Sequence, residues 1–186
     1  MRLVILDRDG VINEDSDDYI KSPEEWRPVA GSLEAIARLT QADFRVVVIT
    51  NQSGIGRGLF NVDMLNRIHN RMVDEVHHKG GEIDAILFCP HGPDDRCRCR
   101  KPEIGLFDDL AARLKTNLNG AYAVGDSLRD IEAARAADAI PILVRTGKGL
   151  RTLARGGNAL TGIAVYEDLA HFVSVLLGPG VGPAAS

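Results

Sequence analysis

Short, nearly unbroken apolar runs alternate along the chain with longer stretches whose apolar residues recur at helical spacing. Arg2–Leu6, Arg45–Ile49, Ala85–Phe88, Ala121–Val124 and Ile140–Val144 are the runs. Their β-branched and apolar content predicts strands covered on both faces. Between them, Leu33, Ile36, Ala37 and Leu39 form the stripe of a helix that Ser32 can cap and that runs to about Gln41. Asn61 can cap a second helix, with Met64, Leu65, Ile68, Met72 and Val76 on its apolar face. Further helices are expected at 105–114, 128–138 and 167–177. Strand–helix alternation of this kind implies parallel strands joined by right-handed crossovers: an α/β, Rossmann-like three-layer α/β/α sandwich. In such a sheet the site lies beyond the carboxyl ends of the strands.

The polar residues concentrate at those ends. Asp7-Arg8-Asp9-Gly10 follows the first strand, and Thr50-Asn51-Gln52-Ser53-Gly54 follows the second. The third leads into Cys89-Pro90-His91, Cys97-Arg98-Cys99 and then Arg100-Lys101-Pro102. The fourth is followed by Gly125-Asp126-Ser127, with Asp130 one helical turn later. Singly, each has an ordinary reading: a surface turn, a helix cap, a solvated lysine, an exposed helix charge. Their order at successive strand ends points to phosphoryl transfer, which is mainly positioning plus stabilisation of charge on the phosphoryl oxygens. Asp7 can attack, giving an aspartyl-phosphate. Asp9 can serve as acid and then base. Magnesium, which prefers oxygen ligands, would be held by Asp7, Asp126 and the backbone carbonyl of Asp9. Thr50 and Lys101 would hold the phosphoryl oxygens, and Gly10 allows a tight chain reversal beside them.

These segments resemble the four motifs of the haloacid dehalogenase superfamily, from Asp7 to about Lys148. Within it, Thr50-Asn51-Gln52-Ser53-Gly54-Ile55-Gly56-Arg57-Gly58 and Val144-Arg145-Thr146-Gly147-Lys148-Gly149 are similar to the D-glycero-D-manno-heptose 1,7-bisphosphate 7-phosphatases. The sister family, the histidinol-phosphate phosphatases, shares the Asp-Arg-Asp-Gly start and usually has an acidic residue where Ser53 stands. Some heptose enzymes carry a Lys at the position of Ser127. The resemblance implies hydrolysis of the C7 phosphate of a small-molecule sugar bisphosphate, in the making of the heptose precursor of lipopolysaccharide. Histidinol-phosphate hydrolysis is the alternative. The resemblance supports Arg100 for substrate recognition and Lys101 for the transferred group. Asn51, Gln52, Ser53, Asp15 and Asp18 are candidate substrate contacts, and Arg57 extends the set because a guanidinium can grip a distal phosphate.

Cysteine use adds a second metal. All of Cys89, Cys97 and Cys99 fall in the third segment, and with His91 they make a closed tetrahedral set suited to structural zinc. Such a site would order the loop 92–96 and aim Arg100 and Lys101. The other histidines, His69, His77, His78 and His171, are assigned to solvated faces or helix ends. Trp26 reads as a packing anchor.

Composition narrows the picture further. Hydrophobic residues make up 45% and charged residues 26% of the 186, enough for one domain with a substantial core. The expected domain spans residues 1–178, with 179–186 a disordered Gly/Pro tail. The segments 13–31 and 61–88 leave no room for a cap domain, so the site should be open. A net charge of −4 points away from nucleic acid. No apolar window approaches the ~20 residues of a membrane span, and the start is too short for a signal peptide. A cytoplasmic monomer that does not engage membranes is therefore expected.

Overall fold

The computed structural model describes residues 2–178; the expected disordered tail lies outside them. The strands are β1 (Arg2–Leu6), β2 (Phe44–Asn51), β3 (Ala85–Cys89), β4 (Tyr122–Gly125), β5 (Ile140–Val144) and β6 (Ala164–Tyr166). They form one parallel sheet in the order β3-β2-β1-β4-β5-β6. The helices are α1 (Ser32–Gln41), α2 (Ser53–Gly56), α3 (Val62–His78), α4 (Gly105–Leu114), α5 (Leu128–Ala136), α6 (Gly149–Arg155) and α7 (Leu169–Leu177).

The period of two along β1 separates the layers. Val4 and Leu6 pack with Ile36 and Leu39 of α1, Ile68 and Met72 of α3, and Phe172 and Val173 of α7. Leu3 and Ile5 point the other way, into a cluster with Phe107 and Leu110 of α4 and Ala133 and Ala134 of α5. Trp26, with no exposed surface, joins the first cluster, as a packing anchor should. Between Asn13 and Gly31 the only regular element is a 3₁₀ turn at Pro23–Glu25, so no cap is built there.

Two local expectations change. Ser32 does not cap α1: Gly31 stands at that position with φ 78°, and Ser32 is the first helical residue. Its hydroxyl instead donates to the Ile12 carbonyl at 2.7 Å, tying the helix to the loop after β1. His69 is not on a solvated face: it is buried in α3. Asn61 does cap α3, accepting from the Met64 amide at 2.9 Å. The strand order reverses direction between β1 and β4, and the Asp7 amide donates to the Val124 carbonyl across that junction at 2.9 Å. Such a switch point opens a crevice at the strand ends.

Candidate active site

Asp7 follows β1 directly and is only 7% exposed. Its Oδ1 accepts from the Arg8 amide at 2.8 Å and lies 3.1 Å from Lys101 Nζ. Lys101, 3% exposed, reaches from the third loop beneath the carboxylates, pairing also with Asp130 at 2.7 Å and donating to the Ile49 carbonyl at 2.8 Å. Burial alone would strip its charge, but Asp130 and Asp7 outweigh burial and raise its pKa. The backbone of Lys101 is pinned by Asn51, whose Oδ1 accepts from its amide at 3.0 Å and whose Nδ2 donates to its carbonyl at 3.1 Å. The Asn51 amide thus positions the lysine.

Asp9 is held differently. Burial pushes its pKa up, but the Arg8 charge and hydrogen bonds from Asn13, Arg8 and Gln52 outweigh that and hold it below the ordinary range. Arg8 Nη2 reaches its two oxygens at 2.8 and 2.9 Å, and Asn13 Nδ2 and Gln52 Nε2 each donate at 2.9 Å. Gln52 also donates to Thr50 Oγ1 at 3.0 Å, joining the second motif to the first. Arg8 is itself buried, with Nη1 3.4 Å from His69 Nε2. A guanidinium has no acceptor, so that histidine nitrogen accepts and the ring carries its proton on Nδ1. Burial, then the Arg8 charge, depress the His69 pKa to about 3, keeping it neutral.

Carboxylate oxygens of Asp7, Asp126 and Asp130 all lie within 4.8 Å of one another. Asp130 is not the exposed helix charge that its position alone suggests. Its Oδ2 accepts from the amide and hydroxyl of Ser127 in a capping box, and its Oδ1 meets Lys101. Asp7 and Asp126 remain as the pair a hard cation fits. Glycines make the space around Asp126: a Cβ on Gly10 (φ 82°) or Gly147 (φ 55°) would stand 2.1 or 2.2 Å from its Oδ2. The Lys148 amide donates to that same oxygen at 2.7 Å, and Thr152 Oγ1 to the Asp126 carbonyl at 2.8 Å.

Burial, then Asp130 and Asp7, push the Asp126 pKa up to about 8. A carboxyl that holds its proton more tightly when folded loses stability as pH rises from its ordinary value towards the raised one. A divalent cation relieves that cost. The Tm gain on adding Mg²⁺ is therefore expected to be larger at pH 8 than at pH 6; an equal gain would contradict a cation at Asp126.

The pocket above Asp7 is lined by Asp9, Thr50, Asn51, Gln52 and Ser53, with Asp15, Arg57 and Arg100 at its walls. Asp18 does not line it, but faces a neighbouring groove with Lys21 and Arg27. Asp15 pairs with Lys148 Nζ at 2.5 Å, and the Arg57 guanidinium stands 6.0 Å from the Tyr19 ring centre. Arg129 and Lys148 also line the pocket; Lys148 belongs to the Val144–Gly149 segment that resembles the heptose enzymes, whereas Arg129 is in none of the motif segments singled out. Beside it, Cys89, His91, Cys97 and Cys99 present their donor atoms within 4.8 Å of one another. The recorded spacings run from 3.1 Å (Cys89–Cys99) to 3.6 Å (Cys89–Cys97). These approach the edge of roughly 3.8 Å set by Zn–S bonds near 2.3 Å, and are far beyond a disulfide's ~2.05 Å. The cluster is tied to the pocket: Arg100 Nη1 donates to the His91 carbonyl at 3.1 Å, and the Gln52 amide to the Cys89 carbonyl at 2.7 Å.

Comparison with known proteins gives the family. Residues 98–172 match the family described as HAD-hydrolase-like. The chain is 56% identical over 95% of its length to D-glycero-beta-D-manno-heptose-1,7-bisphosphate 7-phosphatase of Bordetella bronchiseptica, covering 98% of that protein. It is 52% identical over 94% of its length to the Pseudomonas aeruginosa protein of the same name, covering 97% of it. The crystal structure of D,D-heptose 1,7-bisphosphate phosphatase from B. bronchiseptica, complexed with magnesium and phosphate, superposes with a TM-score of 0.92 at 55% identity, over 95% of this chain and 98% of that one. The Burkholderia thailandensis enzyme gives 0.75 at 44% identity, over 95% and 99%.

Proposed function

The chain belongs to the D-glycero-beta-D-manno-heptose-1,7-bisphosphate 7-phosphatases, HAD-like hydrolases, and from that premise we propose that it hydrolyses the C7 phosphate ester of the heptose bisphosphate. The observation that carries this reading is the meeting of Asp7 with Lys101 at 3.1 Å and with the Asp126 carboxylate, where Asp7 lines a pocket that Arg57, Arg100 and Arg129 also line. The relatives at 52–56% identity carry heptose names, which sets the histidinol-phosphate alternative aside.

Asp7 attacks phosphorus, the C7–oxygen leaves, and an aspartyl-phosphate forms. Asp9 protonates the leaving oxygen and then takes a proton from the water that hydrolyses the acyl phosphate. Its pair with Arg8 holds it ionised in the free enzyme, the form that the second step needs. For the first step it must take up a proton from solvent or from a monoprotonated substrate phosphate, and that proton goes to the leaving oxygen. Thr50 and Lys101 orient the phosphoryl oxygens. Asp7, Asp126 and the Asp9 carbonyl would hold Mg²⁺, which offsets the repulsion between a carboxylate and an anionic ester. Residues 1–178 act as one catalytic domain on a soluble sugar phosphate. No described helix is long and apolar enough to cross a membrane. ³¹P NMR of the product checks the regiochemistry: heptose 1-phosphate with inorganic phosphate is expected, and heptose 7-phosphate would overturn the assignment.

Cys89, His91, Cys97 and Cys99 hold structural zinc, supported by three soft sulfurs and an imidazole at near-tetrahedral spacing. About one zinc per chain is expected by elemental analysis. Cys99→Ser should lower Tm by roughly 5 °C or more, since a chain of this size shifts about 2–4 °C per kcal/mol. An unchanged Tm together with no bound zinc would refute the site.

A further inference from the structure

Arg129 is a partly buried cation that sits in the field of several carboxylates but is paired directly with none of them. It stands in the first turn of α5, between the metal-side Asp126 and Asp130. Among the described residues it makes no ion pair within 4.0 Å and no hydrogen bond, and its Nε is buried without a partner. The adjacent Asp130 is already committed to Lys101 and Ser127. Burial works against the Arg129 charge, but Asp130, Asp7, Asp126 and Asp15 outweigh it and raise its pKa without forming an ion pair with it.

Arg100 is the second member of the arrangement. It lines the same pocket as Arg129, and both also line the outer groove along residues 93–103. Its recorded partner is the His91 carbonyl. After burial, the Arg129 charge is what most disfavours the Arg100 charge. Among the described residues neither guanidinium forms an ion pair within 4.0 Å, and two that face one space repel each other. A dianion there would relieve both, with the planar fork of each donating in a bidentate manner.

We propose that Arg129, together with Arg100, forms the subsite for the substrate's second phosphate, the one that is not transferred. The transferred group belongs lower, over Asp7, where Lys101 and Thr50 already stand. The pair instead extends from the pocket to the outer groove, where the far end of an extended sugar bisphosphate lies. This assignment rests on the bisphosphate reading above and adds a residue to it.

The test compares kcat/KM for heptose 1,7-bisphosphate with that for heptose 7-phosphate, which lacks the second group. Wild type is expected to prefer the bisphosphate. Arg129→Met should lower the bisphosphate-to-monophosphate ratio by about 10–100-fold, the loss of a charge-assisted hydrogen bond of ~1.5–3 kcal/mol, mainly through KM. Arg129→Lys should recover part of it. Tm should change little in Arg129→Met, because no direct hydrogen bond or ion pair is lost. An unchanged ratio in Arg129→Met overturns the subsite while leaving the bisphosphate reading intact. A wild type without preference for the bisphosphate overturns that reading and the subsite with it.

Discussion

Asp7→Asn is expected to reduce kcat by at least about 10⁴-fold, as deleting a covalent nucleophile costs roughly 10⁶-fold in a well-studied hydrolase. Asn keeps the shape, so its carbonyl oxygen can still accept from the Arg8 amide and from Lys101. What it cannot do is form an acyl phosphate. Burial, with Asp130 and Asp9, raises the Asp7 pKa against the pull of Lys101. Removing its negative charge relieves repulsion among the three clustered carboxylates, so the variant should fold with no large loss of Tm. A fully active, magnesium-dependent Asp7→Asn would disprove the covalent route. Asp9→Asn should be slowed less, by about 10²–10⁴-fold, because it removes proton transfer but leaves the nucleophile in place; it also takes the counter-ion from the buried Arg8.

Lys101→Ala is expected to destabilise the protein by about 3–5 kcal/mol, the usual cost of removing one partner from a buried ion pair. The ammonium answers Asp7 and Asp130 together, and Ala leaves both carboxylates beneath the pocket without a cation. Its signs with pH follow from the two partners. Lys101 has a raised pKa, so its contribution is full below 10.5 and is lost as pH rises through the folded value. Asp130 is depressed, burial being outweighed by Lys101 and Arg129, so its contribution holds above 3.8 and is lost as pH falls through the folded value. Denaturant titration at neutral pH measures the loss, and a difference below about 1 kcal/mol would mean that solvent screens the pair as it does on a surface. Turnover should fall as well, since the same ammonium is proposed to hold a phosphoryl oxygen.

The sheet was largely legible because strands buried on both faces need continuous apolar runs, and five of them appear in sequence. β6 escaped notice: it is a three-residue strand at the edge of the sheet, too short to impose a pattern. The site motifs were legible because the fold places every strand end on one side. Side-chain paths were less so. Lys101 precedes a proline in a polar loop, and only the three-dimensional course of the chain brings its amine under Asp7. His69 leaves a readable sign, since it falls on the same stripe as Leu65, Ile68, Met72 and Val76, but a histidine beside the polar residues of α3 reads first as solvated. What it serves, a buried Arg8, is itself invisible without the structure. Asp130 was foreshadowed by Ser127-x-x-Asp130, a capping-box spacing. Arg129 left no such sign: only the missing partner in three dimensions marks it.

Heptose-bisphosphate phosphatase activity is decided by kcat/KM for heptose 1,7-bisphosphate measured beside histidinol phosphate, in Mg²⁺ and after its removal. Magnesium-dependent turnover with a clear preference for the bisphosphate is predicted. A preference for histidinol phosphate, or undiminished turnover without the metal, would contradict the account.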